Sequence, residues 1–373
     1  MMDAMNMGGL TVRNMRAAFG KTVVLHNASL EVAPGETLVL FGPSGAGKTV
    51  LLRAIAGLDP SSTGQVMVAG RDVSVAGPEH RNIGVAFQNF ALYPHMAAYE
   101  NIASPLHARR LPAAEIKERV ERIAALLKIG HVLGQLPRAL SNGQKQRTAL
   151  ARALVGEPKI LLMDDPLRNV DAKLRYEMRM ELPRLLRRSG AASIYVTQDY
   201  REAMALGDRV AVLINGHIVQ TDHPEQVYDA PASIAVARLF GDPPLNLVPC
   251  RPYAGNDGVR VRALGLDFGL RVDAVLAGRD SLLGLRPEDI GVSREEQPGA
   301  VPATLEIATP LHDKVVMMLR TPDGQEVLAS MIGDAPGTGA AVWIRPNADR
   351  ALLYDAGSGL LDRHAAPAME AVA

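Results

Sequence analysis

Residues 42–49, Gly42-Pro43-Ser44-Gly45-Ala46-Gly47-Lys48-Thr49, constrain this chain more than any other stretch. They fit a Gly, four free positions, then Gly-Lys-Thr, the pattern of a phosphate-cradling loop. The apolar run Glu36-Thr37-Leu38-Val39-Leu40-Phe41 before it reads as a buried parallel strand. Val50 to Leu58 after it is helical in character, with Gly57 near the end. In that order, successive backbone N–H groups turn inward around a phosphate, and the helix N-terminus adds partial positive charge. Lys48 can reach β- and γ-phosphate oxygens, and the Thr49 hydroxyl can ligate Mg²⁺. At average residue usage a chance match arises in on the order of one per cent of chains this long. The stretch therefore predicts a nucleoside triphosphate site.

With 373 residues the chain has length for two or three domains. Its 40 basic and 40 acidic residues cancel, so nothing points to nucleic acid. Cys250 is the single cysteine, which excludes an intrachain disulfide and a Cys-rich zinc site. Met1 to Gly9 lacks the basic flank and apolar core of a signal peptide. No stretch approaches the roughly 20 apolar residues of a membrane-spanning helix. At a membrane, such a chain needs another subunit to hold it.

Leu10 to Met15 and Ser29 to Val32 alternate like two short antiparallel strands, with Phe19-Gly20 in the turn between them. Gln65 to Ala69 and Ile83 to Phe87 add two more. From Tyr99 to about Val155 the pattern is helical, with Ile116, Val120, Ile123, Ala124 and Leu127 on one face of a helix over 115–129. Ser141 and Gln144 form a capping box that opens a helix to Leu154. Lys159 to Met163 and Ser193 to Thr197 read as strands ending at Asp164-Asp165 and Gln198-Asp199, and Asn215-Gly216 signals a hairpin. Beyond about Ala237 short strand-like runs alternate with Gly, Pro and Asp, as in a small β barrel or sandwich. The alanine-rich last ten residues read as frayed.

Together with the loop, Gln88, Leu140-Ser141-Asn142-Gly143-Gln144, Leu161 to Pro166 and Gln198 resemble the ATP-binding cassette (ABC) family. The wording of Phe87 to Met96, Tyr99 to Ile102, Asp171 to Arg175 and Gly284 to Asp289 is similar to the ATPase subunit of bacterial sugar importers of the maltose type. The resemblance implies an α/β fold. A P-loop NTPase cassette over 1–237 would have a mixed, largely parallel sheet, an antiparallel β subdomain and a helical subdomain at about 89–157. A small all-β, OB-like regulatory or dimerisation domain would follow over 238–373.

Residue by residue, the resemblance implies that Gly42 through Val50 hold ATP and that Phe19 stacks on adenine. Thr49, Gln88 and Asp164 would hold Mg²⁺, while Gln88, Asp165 and Gln198 act on the attacking water and γ-phosphate. Ser141, Gly143 and Gln144 would face the ATP of a second cassette. Expected partners are two membrane permease subunits, a second cassette (a copy of this chain or an intact paralogue) and, indirectly, an external solute-binding protein. The expected place is the cytoplasmic face of the bacterial inner membrane. Phe90, Leu92, Tyr93 and Met96 would meet the permease, some of them being core.

Departures from the family bear on rate. Asp165 stands where glutamate is usual, Gln198 where histidine is, and Asn142 replaces a glycine; Val50 and Arg168 replace hydroxyl residues. A carboxylate one methylene shorter sits roughly 1 Å too far from its water, which can cost on the order of a hundredfold in rate. Slow hydrolysis with binding intact is expected, with one half of an asymmetric cassette pair or a non-hydrolysing regulatory subunit as further readings.

Overall fold

The computed structural model describes residues 9–168, 170–255, 258–270, 277–311 and 314–361. The expectations for residues 1–8 and for the last ten residues lie outside them. The chain divides into two compact units, Met1–Pro224 and Glu225–Ala373.

The first unit opens with β1 (Leu10–Phe19) and β2 (Thr22–Val32), followed by β3 (Thr37–Phe41) and α1 (Lys48–Ala56). Then come β4 (Thr63–Val68), β5 (Arg71–Asp72), β6 (Ile83–Ala86), α2 (Ala98–Ala108), α3 (Ala113–Leu126) and α4 (Asn142–Leu154). The unit closes with β7 (Ile160–Asp164), α5 (Ala172–Ser189), β8 (Ala192–Thr197), α6 (Tyr200–Leu206), β9 (Arg209–Ile214) and β10 (His217–Asp222).

Six strands form one sheet in the order β10-β9-β3-β8-β7-β6, parallel except for β10. β3, β7 and β8 are buried along their whole length, which is why they read as unbroken apolar runs rather than alternations. A four-stranded antiparallel sheet, β2-β1-β4-β5, shares a core with the first sheet and α1, through Leu10, Leu25, Leu40, Ile55, Leu162 and Ile194. α2, α3 and α4 pack on one another as the helical part.

β1 and β2 are longer than the two runs expected, and Phe19 is the last residue of β1 rather than part of the turn. The cause is irregular register: shifts around Met15 and Ala17, with Asn14 at φ 52°, interrupt the two-residue period that marks a strand in sequence. α3 stops at Leu126, short of the expected Ile129, where Lys128 takes φ 57°. Ile116, Val120 and Ala124 face inward as expected, and Ile123 is half-buried. The Asn215-Gly216 hairpin joins β9 and β10 with both turn residues at positive φ, 48° and 77°.

The second unit takes in α7 (Pro224–Asp229, all but its first residue) and α8 (Ile234–Ala237), which the sequence reading places with the cassette. Ala237 and Ile234 pack with Leu245, Leu352 and Tyr354 in that unit. The rest is all β: β11 (Asn246–Cys250), β12 (Tyr253–Gly255), β13 (Gly258–Ala263), β14 (Leu266–Leu270), β15 (Ser281–Leu285) and β16 (Ile290–Ser293). β17 (Val301–Leu311), β18 (Lys314–Arg320), β19 (Glu326–Ile332), β20 (Ala341–Pro346) and β21 (Leu352–Asp355) complete it. The strands form three antiparallel sheets, β11-β15-β21, β12-β13-β14 and β16-β20-β17-β18-β19. Val261, Leu283, Leu305, Met317, Val327 and Ile344 lie in their joint core.

Candidate functional site

The loop leaves β3 at a point where the backbone crowds its neighbour. A Cβ built on Gly42 would lie 2.1 Å from the Leu213 carbonyl oxygen on β9, so only glycine fits. Gly47 caps α1 in the left-handed region at φ 103°. Between them the loop wraps Lys48, which is buried and donates from Nζ to the carbonyls of Gly42 and Pro43, 2.7 Å each. Burial lowers the Lys48 pKa, while the nearby Asp165 and Asp164 carboxylates oppose that shift. Ala46 is buried, and its carbonyl accepts from the Gly216 N–H at 3.1 Å, tying the loop to the β9–β10 hairpin.

Because β8 pairs with both β3 and β7, the carboxyl ends of the three strands lie side by side. Sites in open α/β sheets form at such ends. The loop, Asp164-Asp165 and Gln198 converge there on a cavity of about 290 Å³. Ser44, Gly45, Gly47, Lys48, Thr49 and Val50 line it from the loop, and Gln88, Asp164, Asp165 and Gln198 line it from the strand ends. Thr49 donates from Oγ1 to Asp164 Oδ1 at 3.1 Å. Burial raises the Asp164 pKa, against the Thr49 hydrogen bond and the Lys48 charge. Asp165 is pushed up to about 6, by burial first and then by the Glu202 carboxylate, with Arg168 opposing.

Behind Gln198 lies a buried network. Glu202 Oε2 accepts from Tyr195 Oη at 2.9 Å and from Thr197 Oγ1 at 2.8 Å, and Arg179 binds Asp199 at 2.6 Å. The Asp199 N–H donates to Thr197 Oγ1 at 3.0 Å, so both neighbours of Gln198 are tethered.

Some expected site residues lie elsewhere. Ser141, Gly143 and Gln144 are outside the cavity walls, at the start of α4. Their capping box is formed: Ser141 N donates to Gln144 Oε1 at 2.9 Å and Gln144 N donates to Ser141 Oγ at 3.3 Å. The Phe19 side chain lies outside the described residues. Of Phe90, Leu92, Tyr93 and Met96 none is buried, against the expectation that some are core, and Tyr93 is 46% exposed. The reason is that polar side chains hold this loop. Arg152 donates to the carbonyls of Phe90 and Ala91 at 2.9 and 2.6 Å and stacks over the Tyr93 ring, while Asn101 Oδ1 accepts from Tyr93 N at 2.8 Å. The sequence reading notes Arg168 only as a replacement of a hydroxyl residue and gives it no place in the site; it lines the cavity wall, three residues after Asp165.

Comparison with known proteins agrees with this geometry. The ABC transporter family model matches residues 25–168, and a TOBE domain model matches 283–353. An sn-glycerol-3-phosphate import ATP-binding protein of Cereibacter sphaeroides is 40% identical over 362 residues, 95% of this chain and 99% of that protein. The chain belongs to the ABC transporter family. Also similar is a trehalose/maltose import ATP-binding protein of Thermococcus litoralis, 41% identical over 84% of this chain and 88% of that one. A dimeric ATP-binding cassette solved with ADP and Pi is 27% identical, with a TM-score of 0.52 over 58% of this chain and 98% of the solved one. As an ABC family ATPase the chain binds ATP and couples its hydrolysis to transport. Among the described residues no helix is long and apolar enough to cross a membrane.

Proposed function

We propose that the chain is the MgATP-binding, energy-coupling subunit of a bacterial importer for a small solute such as a sugar, polyol or glycerol phosphate. The observation that carries this reading is the convergence of Lys48, Thr49, Gln88, Asp164, Asp165 and Gln198 on one cavity. The cargo class rests on what the similar import proteins are named for.

In this reading Gly42 to Val50 cradle the phosphates and Lys48 neutralises them. Thr49, Asp164 and Gln88 supply oxygen donors for Mg²⁺, and the 3.1 Å approach of Thr49 Oγ1 to Asp164 fits that use. Among the described residues no three His, Cys, Asp or Glu gather as a metal cluster. That suits a cation that takes most of its ligands from phosphate and water. Mg²⁺, when bound, neutralises charge on the β- and γ-oxygens. Gln88 and Gln198 orient water, and Asp165 accepts its hydrogen bond. Phe19 stacks on adenine. Ser141, Gly143 and Gln144 serve the ATP of a second cassette, and closure of the pair drives two permease subunits at the cytoplasmic face of the inner membrane. A binding protein outside the cell would deliver the solute.

A groove of about 550 Å³ beside Gln88, walled by Phe87, Ala91, Tyr93, Pro105 and Arg152, supports the permease contact. Alanine at Phe90, Leu92, Tyr93 and Met96 together is expected to cut transport by roughly tenfold or more while ATP affinity stays within about twofold. Transport and co-purification with the permease are the measurements, and wild-type values for both would remove this surface.

Hydrolysis is proposed to be slow. The Asp165 carboxylate, one methylene shorter than the usual glutamate, sits roughly 1 Å too far from the water to hold it in line. Asp165→Glu with Gln198→His is expected to raise turnover by roughly tenfold or more with ATP affinity nearly unchanged. Steady-state ATPase of the assembled transporter decides it. A parent rate typical of cassettes, or a double variant no faster, refutes slow chemistry. A parent with no turnover even beside its partners favours the non-hydrolysing regulatory reading.

A further inference from the structure

We infer that Arg168 is a catalytic residue in this chain, its guanidinium supplying the γ-phosphoryl oxygens with a second positive charge beside Lys48. The inference rests on the nucleotide reading above.

The first support is position. Arg168 lines the same cavity as Lys48, Asp165 and Gln198, and also the adjoining one of about 260 Å³ that includes Gln198, Thr197 and Glu202. It therefore spans the ground between the carboxylate and the amide at the strand ends. The turn that places it there is tight, since Arg168 N donates to the Asp165 carbonyl at 3.3 Å.

The second support is how loosely the group is held. Its one ion pair among the described residues is Nη1 to Asp165 Oδ2 at 3.7 Å, and the side chain is 53% exposed. Arg179, behind the site, is by contrast 20% exposed and held at 2.6 Å. A guanidinium has five donors in a fork that matches phosphate oxygens two at a time. Turning from one long carboxylate contact to a bidentate phosphate contact gains charge-assisted hydrogen bonds and gives up little.

The third is charge balance. Without Arg168 the charged groups in the cavity wall are Lys48 against Asp164 and Asp165, and Gln198 is neutral. MgATP brings its own cation to Asp164, which leaves Lys48, among the described residues, as the one other cation lining this wall for the γ-phosphoryl group. Arg168 adds a second cation to the wall, next to Asp165. When it moves to phosphate it also frees that carboxylate for the water. In hydrolysis the water oxygen bonds to the γ-phosphorus as the bond to the β–γ bridging oxygen breaks, and that electron pair leaves with ADP. One water proton passes through the Asp165 carboxylate to the released phosphate. Arg168 gives up no proton; its N–H groups bind the equatorial oxygens, where charge is spread in the transition state.

The test compares parent, Arg168→Ala and Arg168→Lys for affinity toward MgATP and toward MgADP with orthovanadate, a mimic of the transferring phosphoryl group, together with kcat. We expect MgATP affinity to change less than about threefold in Arg168→Ala. Vanadate-complex affinity and kcat should each fall by roughly thirtyfold or more, and lysine should restore part of both. Unchanged vanadate affinity overturns the inference, and so does an equal loss for ATP and vanadate, which marks an ordinary anion contact. The vanadate measurement decides even where the parent turns over too slowly for a kcat. A thermal melt matching the parent shows that Arg168→Ala is folded. Should it not match, Arg168→Lys and Arg168→Gln decide together: lysine keeping vanadate affinity that glutamine loses supports the inference, and equal affinity in the two overturns it. A parent that fails to bind MgATP overturns the nucleotide reading itself, before any variant is compared.

Discussion

Lys48→Ala is expected to weaken MgATP binding by about a hundredfold or more, as loss of a charged contact in a preorganised phosphate site does. Lys48 is the loop's own cation, buried and anchored to the Gly42 and Pro43 carbonyls. Its removal takes away one of the two cations, Lys48 and Arg168, that line the cavity beside Asp164 and Asp165, so the phosphates lose the positive charge nearest the loop. Loop shape suffers as well, because two inward carbonyls lose their donor. Titration calorimetry with MgATP measures the effect. An affinity within about threefold of the parent would remove the phosphate-loop assignment.

The largest effect on stability is expected from Arg286→Ala, in the second unit. Arg286 is 3% exposed and lies 3.5 Å from the Tyr228 ring centroid. It donates to the Phe240 carbonyl at 2.8 Å and to the Tyr228 carbonyl, while the Tyr228 hydroxyl donates to Glu288. One side chain thus fastens α7 and the segment after α8 to the β strands of the same unit. Truncation takes a donor from the buried Phe240 carbonyl and from the half-buried Tyr228 carbonyl and removes the stacking, a loss of about 3 kcal/mol or more. Urea unfolding of the full chain, followed through the transition of the second unit, reports it. Arg286→Lys should recover only part, since an ammonium cannot both stack flat and donate along two directions. A change under about 1 kcal/mol would show that the anchor is redundant.

What was legible in the sequence is what neighbouring residues settle among themselves. The strand, loop and α1 follow from an apolar run, spaced glycines and a helical repeat within about twenty residues of chain. The Ser141–Gln144 capping box and the Asn215-Gly216 turn are bonds and dihedrals confined to a few residues, and both form as read. Gly42 is legible as a loop glycine, but the Leu213 carbonyl that forbids a Cβ there lies on a strand far along the chain.

Tertiary structure decided the rest. The sheet order β3-β8-β7 sets Lys48, Asp164 and Gln198 around one cavity, and no local pattern states which strand pairs with which. Period-two alternation reports that one face of a strand is buried; it fails where β1 shifts register, because each shift exchanges the faces. The loop over 90–96 looked partly like core because its residues are apolar, yet Arg152 and Asn101 hold it from elsewhere in the fold and leave it at the surface. Arg168 and Arg286 gain their parts in the same way. A long cationic side chain is uncommitted in sequence, and what it does depends on which carbonyls, carboxylates and rings the folded chain brings within its reach.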